Sequence, residues 1–206
     1  MAQARTGKAR LGEPTLTASD WAEAALQLIA EKGLGALTIS ALAARLDATK
    51  GSFYWHFMGR DELLAAALAR WERSVGEMIR SLDAIPDHRR RLELILDAAS
   101  QPPRSRSLYA ALAEAAEDPV VRKVLQRVAS LRIDYLDVCY RGLGLAAAPA
   151  RAHAVLAYAA YRGLLQLAHE APGSLPAEWA SYAALTRQTF LPEASLKRKM
   201  PKRATR

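Results

Sequence analysis

The chain reads as all-α, with about nine helices, and three observations predict it. Alanine and leucine dominate the composition, and both are strong helix formers. The prolines are widely spaced and fall between apolar-periodic stretches, where they delimit helices rather than interrupt them. No stretch shows the alternation of a half-buried strand. At 206 residues the chain can bury a substantial core, in one domain or a small one joined to a larger one.

Taken in order, Thr17 and Asp20 form a capped start, with the acid in the first turn where it complements the helix dipole. Trp21, Ala25, Leu28 and Ile29 make the inward stripe of this first helix, and Gly33 ends it. Thr38 caps a short second helix with Leu42, Ala43 and Leu46 on one face. Asp47 follows, a residue type that tolerates a left-handed turn. Thr49 caps a third helix, from which Phe53 and Phe57, four apart, turn inward together. A long fourth helix runs from Gly59-Arg60-Asp61 to about Leu82, striped by Leu64, Leu68, Trp71, Val75 and Ile79. The fifth spans about His88 to Ser100, and the sixth about Arg104 to Glu117. Asp118-Pro119 starts a seventh that stops at Gly142-Leu-Gly144. Pro149 is expected to open an eighth, ending near Glu170, and Pro176 a ninth, closed by Pro192.

Charge and chemistry narrow the function. Of the net charge of +8, residues 1–14 supply +2 and residues 197–206 supply +6, leaving 15–196 with 20 charges of each sign. The excess lies in a leader (1–14) and a tail (196–206), both expected to be disordered and able to add non-specific phosphate attraction. The single cysteine, Cys139, excludes an internal disulfide and fits a reducing compartment. No apolar run approaches membrane-spanning length, so a cytoplasmic protein is expected. His56, His88, His153 and His169 are scattered without metal-ligand spacing, and neither a nucleophile elbow nor a glycine-rich phosphate loop is present. No metal, cofactor or catalytic site is expected.

What stands out is the surface left over on the third helix. Gly51, Ser52 and Trp55 lie opposite Phe53, with Tyr54 on the flank and Lys50 in the first turn. Polar and aromatic side chains left outside a short helix fit a helix-turn-helix, whose second helix enters the DNA major groove N-terminus first. One such helix makes few base contacts, and a two-fold dimer would double them.

The run from Trp21 to Leu64 resembles the N-terminal domain of TetR-family transcriptional regulators, through AALQLIAEKG, LTISALAARL, KGSFYWHF and GRDELL. The most characteristic parts are the aromatic-x-His-Phe end of the third helix and the basic-acidic-Glu-Leu-Leu start of the fourth. Asp47 stands where the family usually has glycine, and Arg60 where lysine is common. The resemblance implies a DNA-binding domain over 15–59 and a helical ligand-binding and dimerisation domain over 60–195. It places Thr38 and Ser40 on phosphates and Thr49, Lys50, Gly51 and Ser52 in the groove, with Lys50 reading guanine. Tyr54, Trp55 and His56 would meet backbone phosphate and thymine methyls, and Arg60 would clamp a phosphate.

It further implies a homodimer built from the last two long helices, and a repressor released from a palindromic DNA operator by a small-molecule effector. The small residues of the eighth helix fit close helix packing, which a buried helix within one subunit would also show. Ala154, Tyr158, Tyr161, Leu165 and Trp179 are the expected interface residues. Trp71, Met78, Tyr109, Leu112 and Tyr135 are the expected pocket lining, with Arg106, Arg132 or His88 able to orient a polar group. The alternative is a helical small-molecule-binding protein whose DNA-binding head is idle.

Overall fold

The computed structural model describes residues 16–102 and 108–192. Among these are nine α-helices and no strand: α1 (Ala18–Lys32), α2 (Ile39–Arg45), α3 (Lys50–Tyr54), α4 (Arg60–Ser81), α5 (His88–Ala99), α6 (Leu108–Glu114), α7 (Pro119–Gly142), α8 (Ala147–Glu170) and α9 (Trp179–Phe190). The leader and tail, and the expected start of α6 with Arg104 and Arg106, lie outside the described residues. None of the described helices is long and apolar enough to cross a membrane.

Local chemistry explains the first three helices. Thr17 and Asp20 form a reciprocal capping box at α1. Gly33, at φ +81°, ends the helix in a conformation that a side chain would strain. The Thr38 hydroxyl accepts the Ala41 N–H at 3.1 Å, and the Thr49 hydroxyl accepts that of Ser52 at 3.1 Å, so each short helix has its cap. Between them Asp47 takes φ 49°, and the chain turns within four residues.

These helices are too short to stand alone, and packing holds them. Trp21 and Phe53, both fully buried, meet edge to face with ring centroids 5.4 Å apart, and Phe57 closes on Phe53 at 5.6 Å. Truncating Phe53 to alanine removes the centre of this core, a change that typically costs about 3–5 kcal/mol. Leu63, Leu64, Ala67 and Leu68 of α4 pack into the same cluster, which continues through Trp71 and Val75 to Tyr109, Leu112, Val121 and Val128. Head and body therefore share one continuous core, with α4 as its spine. Arg70 on α4 reaches back to Glu23 (2.8 Å) and Ser19 (2.9 Å) on α1, and Arg45 on α2 grips Glu31 with two 2.7 Å bonds.

The body is built on the pairing of α7 with α8, joined by a short turn in which Gly144 takes φ +94°. A second cluster, with Leu92, Leu136, Tyr140, Ala150, Ala154 and Tyr158 among its members, lies between α5, α7 and α8. α9 is laid over α5 and the end of α7: Arg187 meets Asp97 at 2.7 Å, and the Tyr140 hydroxyl donates to the Phe190 carbonyl at 2.9 Å. Three boundaries differ from expectation, the first being the end of α6, at Glu114 and not about Glu117. α8 starts at Ala147, with Pro149 as its third residue, because first-turn N–H groups have no helical acceptor to lose. α9 starts at Trp179, three residues after Pro176.

Candidate nucleic-acid interface

α3 exposes the surface that its sequence singled out. Phe53 is fully buried, while Thr49, Lys50, Gly51, Tyr54 and Trp55 are exposed and Ser52 and His56 partly so. Trp55 is 87% exposed and Tyr54 59%. Apolar rings are normally withdrawn from water, so two in succession, on the last residue of α3 and on its C-cap, mark a surface meant for contact. Gly51 adds to this. A Cβ built there would meet nothing nearer than Thr49 Oγ1 at 3.6 Å, so nothing inside the protein demands glycine. Lys50 has no ion-pair partner among the described residues, and Thr38 and Ser40, at the start of α2, are exposed.

Arg60 is occupied in a way the sequence did not disclose. Its Nε–H donates to the Leu37 carbonyl at 2.9 Å and one Nη to the Leu34 carbonyl at 3.4 Å, tying the turn before α2 to the first residue of α4. The other Nη lies 3.4 Å from Asp61. A cation is unfavourable at a helix N-terminus, and these oxygens offset that. Glu62 fixes the other side of the same turn by accepting the Met58 N–H at 2.6 Å. Met58, 88% exposed beside Trp55, joins the exposed surface, although nothing in the sequence distinguished it from a core methionine.

In the body, α4, α5, α7 and α8 line a cavity of about 190 Å³ that opens to solvent on one side. Met78 and Tyr135 line it as expected, together with Arg132, Tyr158 and Tyr161. Tyr109 lies just behind the wall, its hydroxyl 2.8 Å from that of Tyr158. Burial, then that hydrogen bond, raises the Tyr109 phenol pKa well above its usual value. Burial also pushes the Tyr135 phenol up to about 12, helped by its bond to Asp83.

Residues 22–67 match the family model described as bacterial regulatory proteins, tetR family. These residues carry the pattern of the tetR-family domain. The match covers α1 from Ala22 onward, α2, α3 and the first third of α4, the stretch that carries the exposed surface. No curated protein matches the sequence. Solved structures resemble the fold over most of the chain. The reduced form of NemR from E. coli is 18% identical, covers 87% of this chain and 99% of its own, with a TM-score of 0.72. A transcriptional regulator from Rhodococcus sp. Rha1 is 23% identical over 85% of this chain and 96% of its own, at 0.69. The fatty acid degradation regulator FadR from Bacillus halodurans is 16% identical over 90% and 99%, at 0.62. At these identities the likeness is one of fold.

Other expected positions move. Trp71 and Leu112 do not line the cavity; both are buried in the continuous core, where α4 and α6 face each other across α1. Ala154, Tyr158 and Leu165 are buried within the protomer, because the small residues of α8 seat it against α7. Tyr161 lines the cavity, and Trp179 is half-buried at the start of α9, its ring 5.7 Å from that of Tyr182. The solvent-facing side of α8 is instead Val155, Leu156, Ala159, Ala160, Gly163 and Leu167. His88 lies away from the cavity, its ring pressed against Gly142 at the end of α7.

Proposed function

We propose that this chain is a homodimeric, ligand-responsive repressor that grips a palindromic operator through α3 and lets go when a small molecule fills the cavity in the body. The observation that carries the DNA-binding part is the outward surface of α3 and its C-cap, where Lys50, Gly51, Tyr54 and Trp55 are all exposed. The N-terminus of that helix is the end that enters a major groove, and two copies would occupy successive grooves ~34–36 Å apart.

The second copy is supported by what α8 and α9 leave uncovered. Leu156 and Leu185 are each 60% exposed, with Val155 and Leu167 beside them. α9 buries no residue in its own protomer, and a 12-residue helix with so little packing needs a partner surface. Two copies joined through α8 and α9 cover both faces. The release step is supported by α4, which runs from the head to the cavity wall at Met78 and Ile79. A ligand that favours one position of α4 changes the separation of the heads, and shifts the equilibrium only by its differential affinity for the two states.

The experiment is a fluorescence-anisotropy titration with the DNA upstream of the protein's own gene, against a scrambled duplex. Lys50→Ala is expected to weaken matched DNA by ~1–3 kcal/mol and to leave scrambled DNA nearly unchanged. Equal losses on both would remove Lys50 from base reading. No preference for matched DNA by the wild-type chain, combined with ligand binding, would favour the idle-head alternative.

A further inference from the structure

A guanidinium beside an apolar cavity normally has a carboxylate to neutralise it. Arg132 has none within ion-pair distance among the described residues. It lines the cavity half-buried, 5.4 Å from the Tyr109 ring centre and 5.6 Å from that of Tyr161. The aromatic faces stabilise the cation but leave its planar fork of N–H donors without an anion. Arg162 reinforces the positive potential from behind. It sits 4.5 Å from the same Tyr109 ring and donates to its hydroxyl, again with no carboxylate among the described residues. Asp83, which follows the wall residue Leu82, accepts the Tyr135 hydroxyl at 3.1 Å and is paired with Arg91 at 3.3 Å, so it does not cancel Arg132. The remaining walls, including Ile79, Leu96 and Ala157, are apolar.

We propose that the effector is a small aryl or alkyl carboxylate, its acid group paired with Arg132 and its apolar body in the cavity. This rests on the reading above that the cavity is the effector site. Three features select the class. One unneutralised guanidinium in an apolar wall suits a monoanion, and its fork matches a carboxylate's two oxygens. A cation, which the tyrosines alone would welcome, is repelled by Arg132. The volume of about 190 Å³ exceeds the cavity of about 150 Å³ that admits benzene, which leaves room for one ring and a few further atoms.

The test is isothermal titration calorimetry on the full chain with four probes: cinnamate, cinnamamide, phenethylamine and indole. Cinnamate is expected to bind at least ten-fold more tightly than cinnamamide, and phenethylamine not to bind. Arg132→Met should lower cinnamate affinity ten-fold or more while leaving cinnamamide unchanged, and Arg132→Lys should restore part of it. Ala99→Phe, which fills the cavity, should weaken cinnamate and indole alike. Ala98→Trp, from a solvent-facing position of the same wall, replaces it if Ala99→Phe does not fold. Equal cinnamate affinity in wild type and Arg132→Met, or a preference for phenethylamine, overturns the carboxylate class. Indole bound by the wild type but not by Ala99→Phe, with no response to cinnamate, overturns the class and leaves the cavity as the effector site. No response to any probe overturns both.

Discussion

Arg60 is where sequence and geometry assign different work, so its replacement is the most instructive perturbation. If it only clamps a phosphate, Arg60→Ala weakens DNA binding on every sequence and Arg60→Lys, which keeps the charge, restores it. The geometry adds a second role, because the guanidinium holds the Leu37 and Leu34 carbonyls to the start of α4. A hydrogen bond from a charged donor contributes about 1.5–3 kcal/mol. The Arg60 side chain is 38% exposed and the second bond is long, so solvent screening reduces the expected loss to about 1 kcal/mol. In a chain of this length that lowers Tm by roughly 2–4 °C. A lysine ammonium can reach one carbonyl but cannot fork between two, so Arg60→Lys should lose most of the same stability. The assays are differential scanning calorimetry and anisotropy on matched and scrambled DNA. Arg60→Lys with wild-type Tm and wild-type affinity, beside an Arg60→Ala variant that loses only affinity, would refute the structural role.

Three further outcomes follow from particular contacts. Leu156→Glu combined with Leu185→Glu places charge on the uncovered faces of α8 and α9, and sedimentation should show a monomer with unchanged helical circular dichroism; a persistent dimer would move the interface elsewhere. Gly142→Ala puts a Cβ 2.3 Å from the His88 ring, so denaturant melts should show a loss of about 1–3 kcal/mol, and the same change in a His88→Ala background should be nearly neutral. Equal effects in both backgrounds would mean that the ring does not set the requirement for glycine. Cys139 is fully buried, and burial pushes its thiol up to about 11. At pH 8 the thiolate fraction is then on the order of one in a thousand, so iodoacetamide should label the folded chain far more slowly than the chain in guanidinium. Comparable rates would show that the site opens readily.

Much of the fold was legible because its signals are local. Thr17, Thr38, Thr49 and Asp118 each bond backbone N–H groups within three residues, and Asp47 needs only its own tolerance of a left-handed turn. Such signals do not depend on the rest of the chain. The exposed face of α3 was legible for the same reason: with Phe53 and Phe57 assigned inward, period 3.6 assigns Gly51 and Trp55 outward. The family pattern over residues 22–67 is likewise contiguous.

The remainder was decided between segments far apart in the chain. On α8 small or apolar side chains occur on every face, so periodicity could not say which stripe seats on α7, and Ala154, Tyr158 and Leu165 went inward while Leu156 stayed out. Arg60 met carbonyls 23 and 26 residues earlier. Arg132 met a tyrosine pair brought together from α6 and α8, which turned one of three plausible polar residues into the charged wall of a cavity. The sequence by itself determined the helices, their caps and the exposed face of α3, since those follow from each residue's own backbone and its neighbours within a turn. Only the tertiary structure decided the cavity, its unneutralised cation and the free faces of α8 and α9, because burial and pairing are properties of surfaces that meet and not of the residues alone.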